Sequence, residues 1–594
     1  MSTGVLRPTP RRPHTRRMDT PRLVARGMAL VAAGILLVAA HPALTRTPPA
    51  RSARPAAPRA AVRVARAAAL DPAGFWNSAT VYFLLTDRFL DGDTTNDHAL
   101  GRAQDGAPYR SFLGGDLAGL LRKIEAGYFD SLGVSAIWMT PFVEQIHGSV
   151  DEGTGRTYGY HGYWTRDWTA VDPALGTLDE LRAVVDAAHR RGIRVLMDAV
   201  INHTGPVTPQ DPVWPRDWVR TRPRCTYRGY STTVDCTLVE NLPDVLTDGD
   251  APVELPPALV EKWRAEGRLD REVAELDTFF RRAGYPRAPR YYLIKWLTDW
   301  VRELGFDGYR LDTAKHFGET VSAEIKREAD RAFADWKRAH PAQVLDSLPF
   351  YMVGEVFGWA PGAGRAYDFG DRSVDFFSFG YDGLINFGFK SEAHGSLDSL
   401  FTRYSATLHG GALNGVAILN YVSSHDDGGP YDQERRDPLG AGTRLLLAPG
   451  GAQIYYGDEL ARPLRVEGAV GDANLRSPMN WADLERGGRT AEILAHWRKL
   501  GRFRREHPAV GAGEHRTIQA QPLVFSRALE TGGRVDRVVV ALDQPAGAKV
   551  IPVGGVFADG TRLVDAYSLE RGSVERGAVA LTTPFPVVLL SERR

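Results

Sequence analysis

Along the middle of the chain, short apolar runs alternate with amphipathic stretches. Strand-like runs over 80–84, 136–139 and 194–200 are separated by helical periodicity over 117–132 and 178–191. Past His203 the rhythm breaks, and the stretch 205–284, rich in Pro, Arg and Trp, shows only irregular patterning. It resumes with a helix over 291–303, a strand over 308–311, a helix over 322–339, strands over 350–353 and 415–419, a helix and strand near 443–447 and 453–456, and a helix over 491–505. Such alternation implies parallel strands joined by helical crossovers, and the count is close to that of an eight-unit βα barrel. The break predicts a domain inserted after the third strand, so that 73–204 and 285–506 form the barrel. From 507 to 594 the pattern changes to short period-two runs at 522–526, 537–542, 549–553 and 586–590, separated by Gly-rich turns. That punctuation predicts a small antiparallel β-sandwich domain.

The N-terminal region has a different character. Residues 1–27 are Arg-rich and precede an apolar run over 28–40 that ends at His41-Pro-Ala43. The run is shorter than the roughly 20 residues a membrane span needs, so 1–44 reads as a signal peptide. The chain is therefore expected to be secreted, with no membrane attachment after cleavage. Residues 45–72 are Pro, Ala and Arg without an aromatic side chain, a composition expected to form a disordered linker. Lys and Arg number 73 against 72 Asp and Glu, so no nucleic-acid partner is expected; the Arg excess belongs to the leader. In an exported protein the two cysteines, Cys225 and Cys236, predict a local disulfide, and no His lies between or beside them to complete a zinc site.

Four segments end strand-like runs with polar groups: Asp198-Ala-Val-Ile-Asn202-His203, Gly308-Tyr-Arg310-Leu-Asp312-Thr-Ala-Lys315-His316, Val353-Gly-Glu355-Val, and Asn420-Tyr-Val-Ser-Ser-His425-Asp426. One strand-end Asp is ordinarily a cap or an ion-pair partner. Four such groups at the C-terminal ends of barrel strands, where barrel enzymes hold their active sites, predict a catalytic centre. Carboxyl groups gathered in this way can divide the work of nucleophile and general acid. Arg310, two residues before Asp312 and so on the same strand face, is expected to hold Asp312 ionised. Glu355 follows a buried run, which should raise its pKa and suit it to the acid role.

These segments, in this order, resemble the four signature segments of the α-amylase family of glycoside hydrolases. Gly133-Val-Ser-Ala-Ile-Trp-Met-Thr-Pro141, Tyr158-Gly-Tyr-His161-Gly-Tyr163-Trp164 and Asn241-Leu-Pro-Asp244 extend the likeness, which is strongest to the periplasmic and secreted bacterial α-amylases. The resemblance implies a (β/α)8 TIM barrel with Asp312 as nucleophile, Glu355 as acid/base and Asp426 as transition-state stabiliser. It implies sugar contacts from His161, Tyr163, Trp164, His203, Arg310 and His425, with Lys315 and His316 on the leaving-group side. It also implies Ca²⁺ held by Asn202, Asp244 and the carbonyl of His316, and a second ion at Asp91-Gly-Asp93-Thr-Thr-Asn96-Asp97. The implied activity is retaining endo-hydrolysis of α-1,4 bonds in starch, glycogen and maltodextrins by a monomer. A cyclomaltodextrinase or maltodextrin glucanotransferase of the same family is the alternative. An inactive glucan-binding barrel would have lost a carboxylate, and all three are present.

Overall fold

The computed structural model describes residues 70–593 apart from residue 152, so the expected signal peptide and residues 45–69 of the expected linker lie outside the described residues. The linker expectation is corrected at its end. Leu70 is buried, and Asp71 caps a helix over Pro72–Ser78 by accepting the Gly74 N–H at 2.6 Å. Pro72 suits the first turn, where its missing N–H costs nothing.

Eight parallel strands close into a barrel in chain order: β1 (Thr80–Leu84), β2 (Ala136–Met139), β3 (Arg194–Ala199), β4 (Gly308–Leu311), β5 (Tyr351–Gly354), β6 (Gly383–Asn386), β7 (Ala417–Tyr421) and β8 (Gly451–Tyr455), with β8 pairing back to β1. Every residue of β1 to β8 is buried. Helices cover the outside, which is why the strands read as apolar runs and not as alternation. Three of those helices are α1 (Leu178–Arg190), α2 (Pro289–Leu304) and α3 (Glu319–Ala339). A reciprocal pair of hydrogen bonds between Thr177 and Glu180 starts α1. β6 had no sequence signal, because its four residues follow a long irregular stretch that contains the hairpin Ala366–Asp368 with Ser373–Asp375.

The segment after β3 is less irregular than its sequence implies. Val219–Arg220 pairs antiparallel with Asp244–Val245, and two helices follow over Pro257–Ala265 and Leu269–Ala283. The second buries only Glu272, Leu276, Phe279 and Phe280. Leu276, Phe279 and Phe280 lie on one face of this highly charged helix, so its amphipathic period is present in the sequence, inside a stretch whose Pro, Arg and Trp content suggests irregularity. Cys225 and Cys236 are disulfide-bonded across a separation of 11 residues. Replacing both with Ser is expected to cost about 2–3 kcal/mol, the loop-closure value for this length. A lower thermal midpoint, reproduced by reducing the wild-type protein, checks it.

Beyond the barrel, eight antiparallel strands form one sheet: β9 (Glu514–Gln519), β10 (Val524–Thr531), β11 (Arg534–Ala541), β12 (Gly547–Pro552), β13 (Arg562–Asp565), β14 (Arg571–Glu575), β15 (Ala578–Thr583) and β16 (Val588–Glu592), in the order β9-β10-β11-β16-β13-β14-β15-β12. Val524 of β10 and Ile551 of the edge strand β12 share one core with Val579 and Leu590, so the sheet folds over itself. Arg527 sits over the rings of both Phe401 and Phe525, 4.9 and 5.0 Å from their centroids, and so fastens this domain to the barrel. Among the described residues no helix is long and apolar enough to cross a membrane.

Candidate active site

The buried guanidinium of Arg310 organises the barrel mouth. Its Nη1 donates to Asp198 at 2.8 Å and to Asp312 at 2.7 Å, while Nη2 lies 3.2 Å from Glu355. Strand geometry explains the convergence. Arg310 is in register with Asp198 on β3 and with Val353 on β5, Asp312 follows two residues later on the same face, and Glu355 follows two residues after Val353. Asp198 also accepts from Trp138 Nε1 at 2.9 Å and from the Tyr163 hydroxyl at 2.7 Å. With its oxygens thus engaged, it orients Arg310 and Tyr163. Asp312 Oδ2, in contrast, is buried with no hydrogen-bond partner.

Thr313 has φ +46°, a left-handed conformation that is costly for a β-branched residue. The turn aims its N–H at Glu355 Oε2, 2.8 Å away, and so ties the chain beside Asp312 to Glu355. Burial pushes both carboxyls above the usual carboxylate range, and Arg310 reverses this only in part. The expectation that Arg310 depresses Asp312 is therefore right in the sign of that one interaction, but burial outweighs it. Two interacting acids beside one cation take up protons as a pair.

Asp426 differs. Its side chain is 29 % exposed; His425 Nε2 lies 3.0 Å from Oδ2, and Arg476 binds Oδ1. Burial raises its pKa, but His425 and Arg476 pull harder and hold the carboxyl well below its ordinary value. Arg476 is itself held: its Nη1 lies 2.7 Å from Asp472, which also takes Arg110 at 2.7 Å, and its carbonyl accepts from Arg88 Nε at 2.8 Å. None of Arg88, Arg110, Asp472 and Arg476 was identified from the sequence. Arg88 lies on a short helix and Arg110 in a loop near the start of the barrel. Asp472 and Arg476 share another short helix, 362 residues from Arg110 and 388 from Arg88 respectively, and only their four-residue spacing hinted at a pair.

The structure divides the expected sugar contacts. Tyr163 lies nearly parallel to His425, with ring centroids 5.2 Å apart, beside the carboxylates. His161 Nδ1 accepts the Tyr163 N–H at 3.1 Å. Trp164 requires correction as a stacking platform. It is fully buried in a cluster with Ile146, Val150, Leu238 and Leu242 that joins the barrel to the inserted segment. His203 places Nε2 3.1 Å from the Tyr163 carbonyl, and burial lowers its pKa to about 4. A neutral ring has one N–H, so His203 has no donor left for sugar in this arrangement. His316 uses one ring nitrogen and keeps the other without a partner. Its Nδ1 faces the Thr233 carbonyl at 3.1 Å, its Nε2 is buried, and burial lowers its pKa to about 3. Lys315 donates to the Phe357 carbonyl and the Tyr367 hydroxyl, both at 2.9 Å, on the Glu355 side.

The oxygens expected to hold calcium pass a test of fit. Asn202 Oδ1 and Asp244 Oδ1 are both buried without a hydrogen-bond partner, a state that costs about 1–3 kcal/mol each unless a ligand relieves it. Hard oxygen donors of this kind suit Ca²⁺. They come from the barrel and the inserted segment, which His316 also joins. The Asp91 loop offers a comparable pair, because Asn96 Oδ1 and Asp97 Oδ1 are likewise buried without a hydrogen-bond partner. Asp116 accepts the N–H groups of Gly92, Asp93 and Gly119, and Asp93 accepts that of Thr95. Among the described residues no three His, Cys, Asp or Glu side chains gather as metal ligands.

A closed (β/α)8 barrel with acidic groups and an arginine gathered at the C-terminal ends of its strands is the arrangement of a barrel enzyme. Residues 83–240 match the family described as alpha amylase, catalytic domain. The periplasmic alpha-amylase of Escherichia coli (strain K12) is 37 % identical over 503 residues, covering 75 % of this chain and 69 % of that protein. A cyclomaltodextrin glucanotransferase of Geobacillus stearothermophilus is 25 % identical over 566 residues, covering 89 % and 71 %. A crystal structure of an Anoxybacillus alpha-amylase superposes with a TM-score of 0.61 at 22 % identity, covering 87 % of this chain and 99 % of that one. The chain belongs to the α-amylase family of glycoside hydrolases.

Proposed function

We propose that the protein is an exported, retaining α-amylase that cleaves internal α-1,4 bonds of starch, glycogen and maltodextrins. The observation that carries this reading is the Arg310 cluster, in which Asp312 keeps one buried oxygen free while Glu355 shares the same guanidinium. In the first step Asp312 Oδ2 bonds to the anomeric carbon as the glycosidic C–O bond breaks, and Glu355 gives its proton to the leaving oxygen. In the second step Glu355 takes a proton from water, whose oxygen bonds to the anomeric carbon and releases Asp312. Asp426, ionised through its contacts with His425 and Arg476, faces the developing positive charge of the sugar. Tyr163 supplies the aromatic face for the glucose ring. Calcium would be held by Asn202, Asp244 and the carbonyl of His316, where it would clamp the inserted segment to the barrel. Export is supported by the Arg-rich leader and by the likeness to a protein named periplasmic.

Transfer to a sugar acceptor is the second reading, favoured by the glucanotransferase relatives. Chromatography of sugars released over time from soluble starch separates the two. Early mixed linear oligosaccharides, lost with a chelator and restored by calcium, are expected. Cyclic or lengthened products would assign transfer instead, and activity untouched by the chelator would remove calcium from the reading.

A further inference from the structure

The oxygens of Asp244 are treated unequally. Arg220 lies directly opposite Asp244 in the short ladder of the inserted segment. Its Nε is 2.8 Å from Asp244 Oδ2, while Oδ1 is buried without a hydrogen-bond partner; the Asn202 side chain, whose own Oδ1 is likewise unpartnered, meets the same carboxyl from the barrel. Arg220 also reaches Asp248 at 2.8 Å and Asp235 at 3.7 Å, but those carboxylates are 53 % and 46 % exposed, whereas the Asp244 side chain is 3 % exposed. Solvent screens the outer two contacts, so the buried ion pair, although Nε lacks hydrogen-bond geometry there, is the least screened of the three.

We propose that Arg220 is a built-in counter-ion of the Asn202–Asp244 cation site, and that it sets the affinity of that site for a divalent cation. The inference rests on the calcium reading above and adds a residue to it. The guanidinium restricts Asp244 to one free oxygen, so a cation there is bound through Oδ1 alone. It also places a fixed positive charge across one carboxylate from the ion, and calcium affinity follows the number and charge of available oxygens. When the ion is absent, the same guanidinium keeps the buried carboxylate from standing uncompensated. Arg220 thus lowers the affinity of the loaded state and supports the empty one.

The two effects have opposite signs on removal of the charge. Chelator-stripped mature protein is titrated with calcium by calorimetry, and thermal midpoints are measured in chelator and at saturating calcium. Arg220→Gln is expected to bind calcium about tenfold tighter or more, because repulsion from a nearby unit charge is relieved. In chelator it melts below wild type, and saturating calcium closes most of that gap. A variant that folds only with calcium meets the same expectation. Weaker or unchanged binding by Arg220→Gln would overturn the proposal and leave Arg220 as a strand-pairing residue. Arg220→Lys keeps the charge and is expected to bind within a few-fold of wild type; a tenfold gain there as well would overturn it too. Calcium binding by Arg220→Gln but not by wild type would uphold the counter-ion role and remove calcium from the native protein. Binding by neither overturns both.

Discussion

Asp312→Asn is expected to lower kcat/KM on starch roughly 10⁴-fold or more, because the substitution removes the only group able to bond to the anomeric carbon. The fold should survive. Arg310 faces three carboxyls, Asp198, Asp312 and Glu355, and replacing one buried carboxylate with a neutral amide of the same shape relieves repulsion among them. Unchanged or higher thermal stability alongside lost activity would identify the role as chemical. In the wild type, rapid quenching with a slow fluorinated substrate is expected to leave one glycosyl unit on the peptide that contains Asp312. A label on Glu355 or Asp426, or activity within tenfold of wild type, would reassign the nucleophile.

Glu355→Gln should reduce kcat/KM on starch by about 10²–10⁴-fold, the usual contribution of a positioned general acid. The loss depends on the leaving group. An aryl maltoside whose phenolate leaves unprotonated does not need the acid in the first step, so bond cleavage with that substrate should fall far less. The same variant tests the pH dependence. Burial raises the pKa of the Asp312–Glu355 pair, so the protonated acid persists above the ordinary carboxylate range. Activity is expected to fall as pH rises through the upper step of the pair, when the shared proton is lost. Glu355→Gln removes that alkaline limb and leaves the acidic limb, where Asp312 becomes protonated. An alkaline limb that persists in the variant would assign the proton to another group.

How much of this could be read along the chain follows from the reach of each interaction. Arg310 and Asp312 were legible as partners because a two-residue spacing on a strand dictates a shared face. Asp198 and Glu355 were legible because each ends an apolar run, and parallel strands of one barrel point the same way. Thr313 left no trace, since its left-handed turn matters only once Glu355 lies beside it. The roles expected of Trp164 and His203 came from local likeness, and neighbours distant in sequence engage their side chains instead: Leu242 packs with Trp164 and the Tyr163 carbonyl takes His203.

Local periodicity was sufficient for seven of the eight barrel strands, the interruption after β3 and the antiparallel C-terminal domain, because each depends on residues close together in the chain; β6 carried no such signal, and the roles of the three acids came from the family resemblance. Barrel closure brought Arg88 and Arg110 from one end of the chain to Asp472 and Arg476 from the other, behind Asp426, and the short ladder of the inserted segment set Arg220 beside Asp244. Charges act through space, and in a buried site the partner that sets a carboxyl's protonation or its hold on a cation is whichever one the fold delivers within a few ångströms.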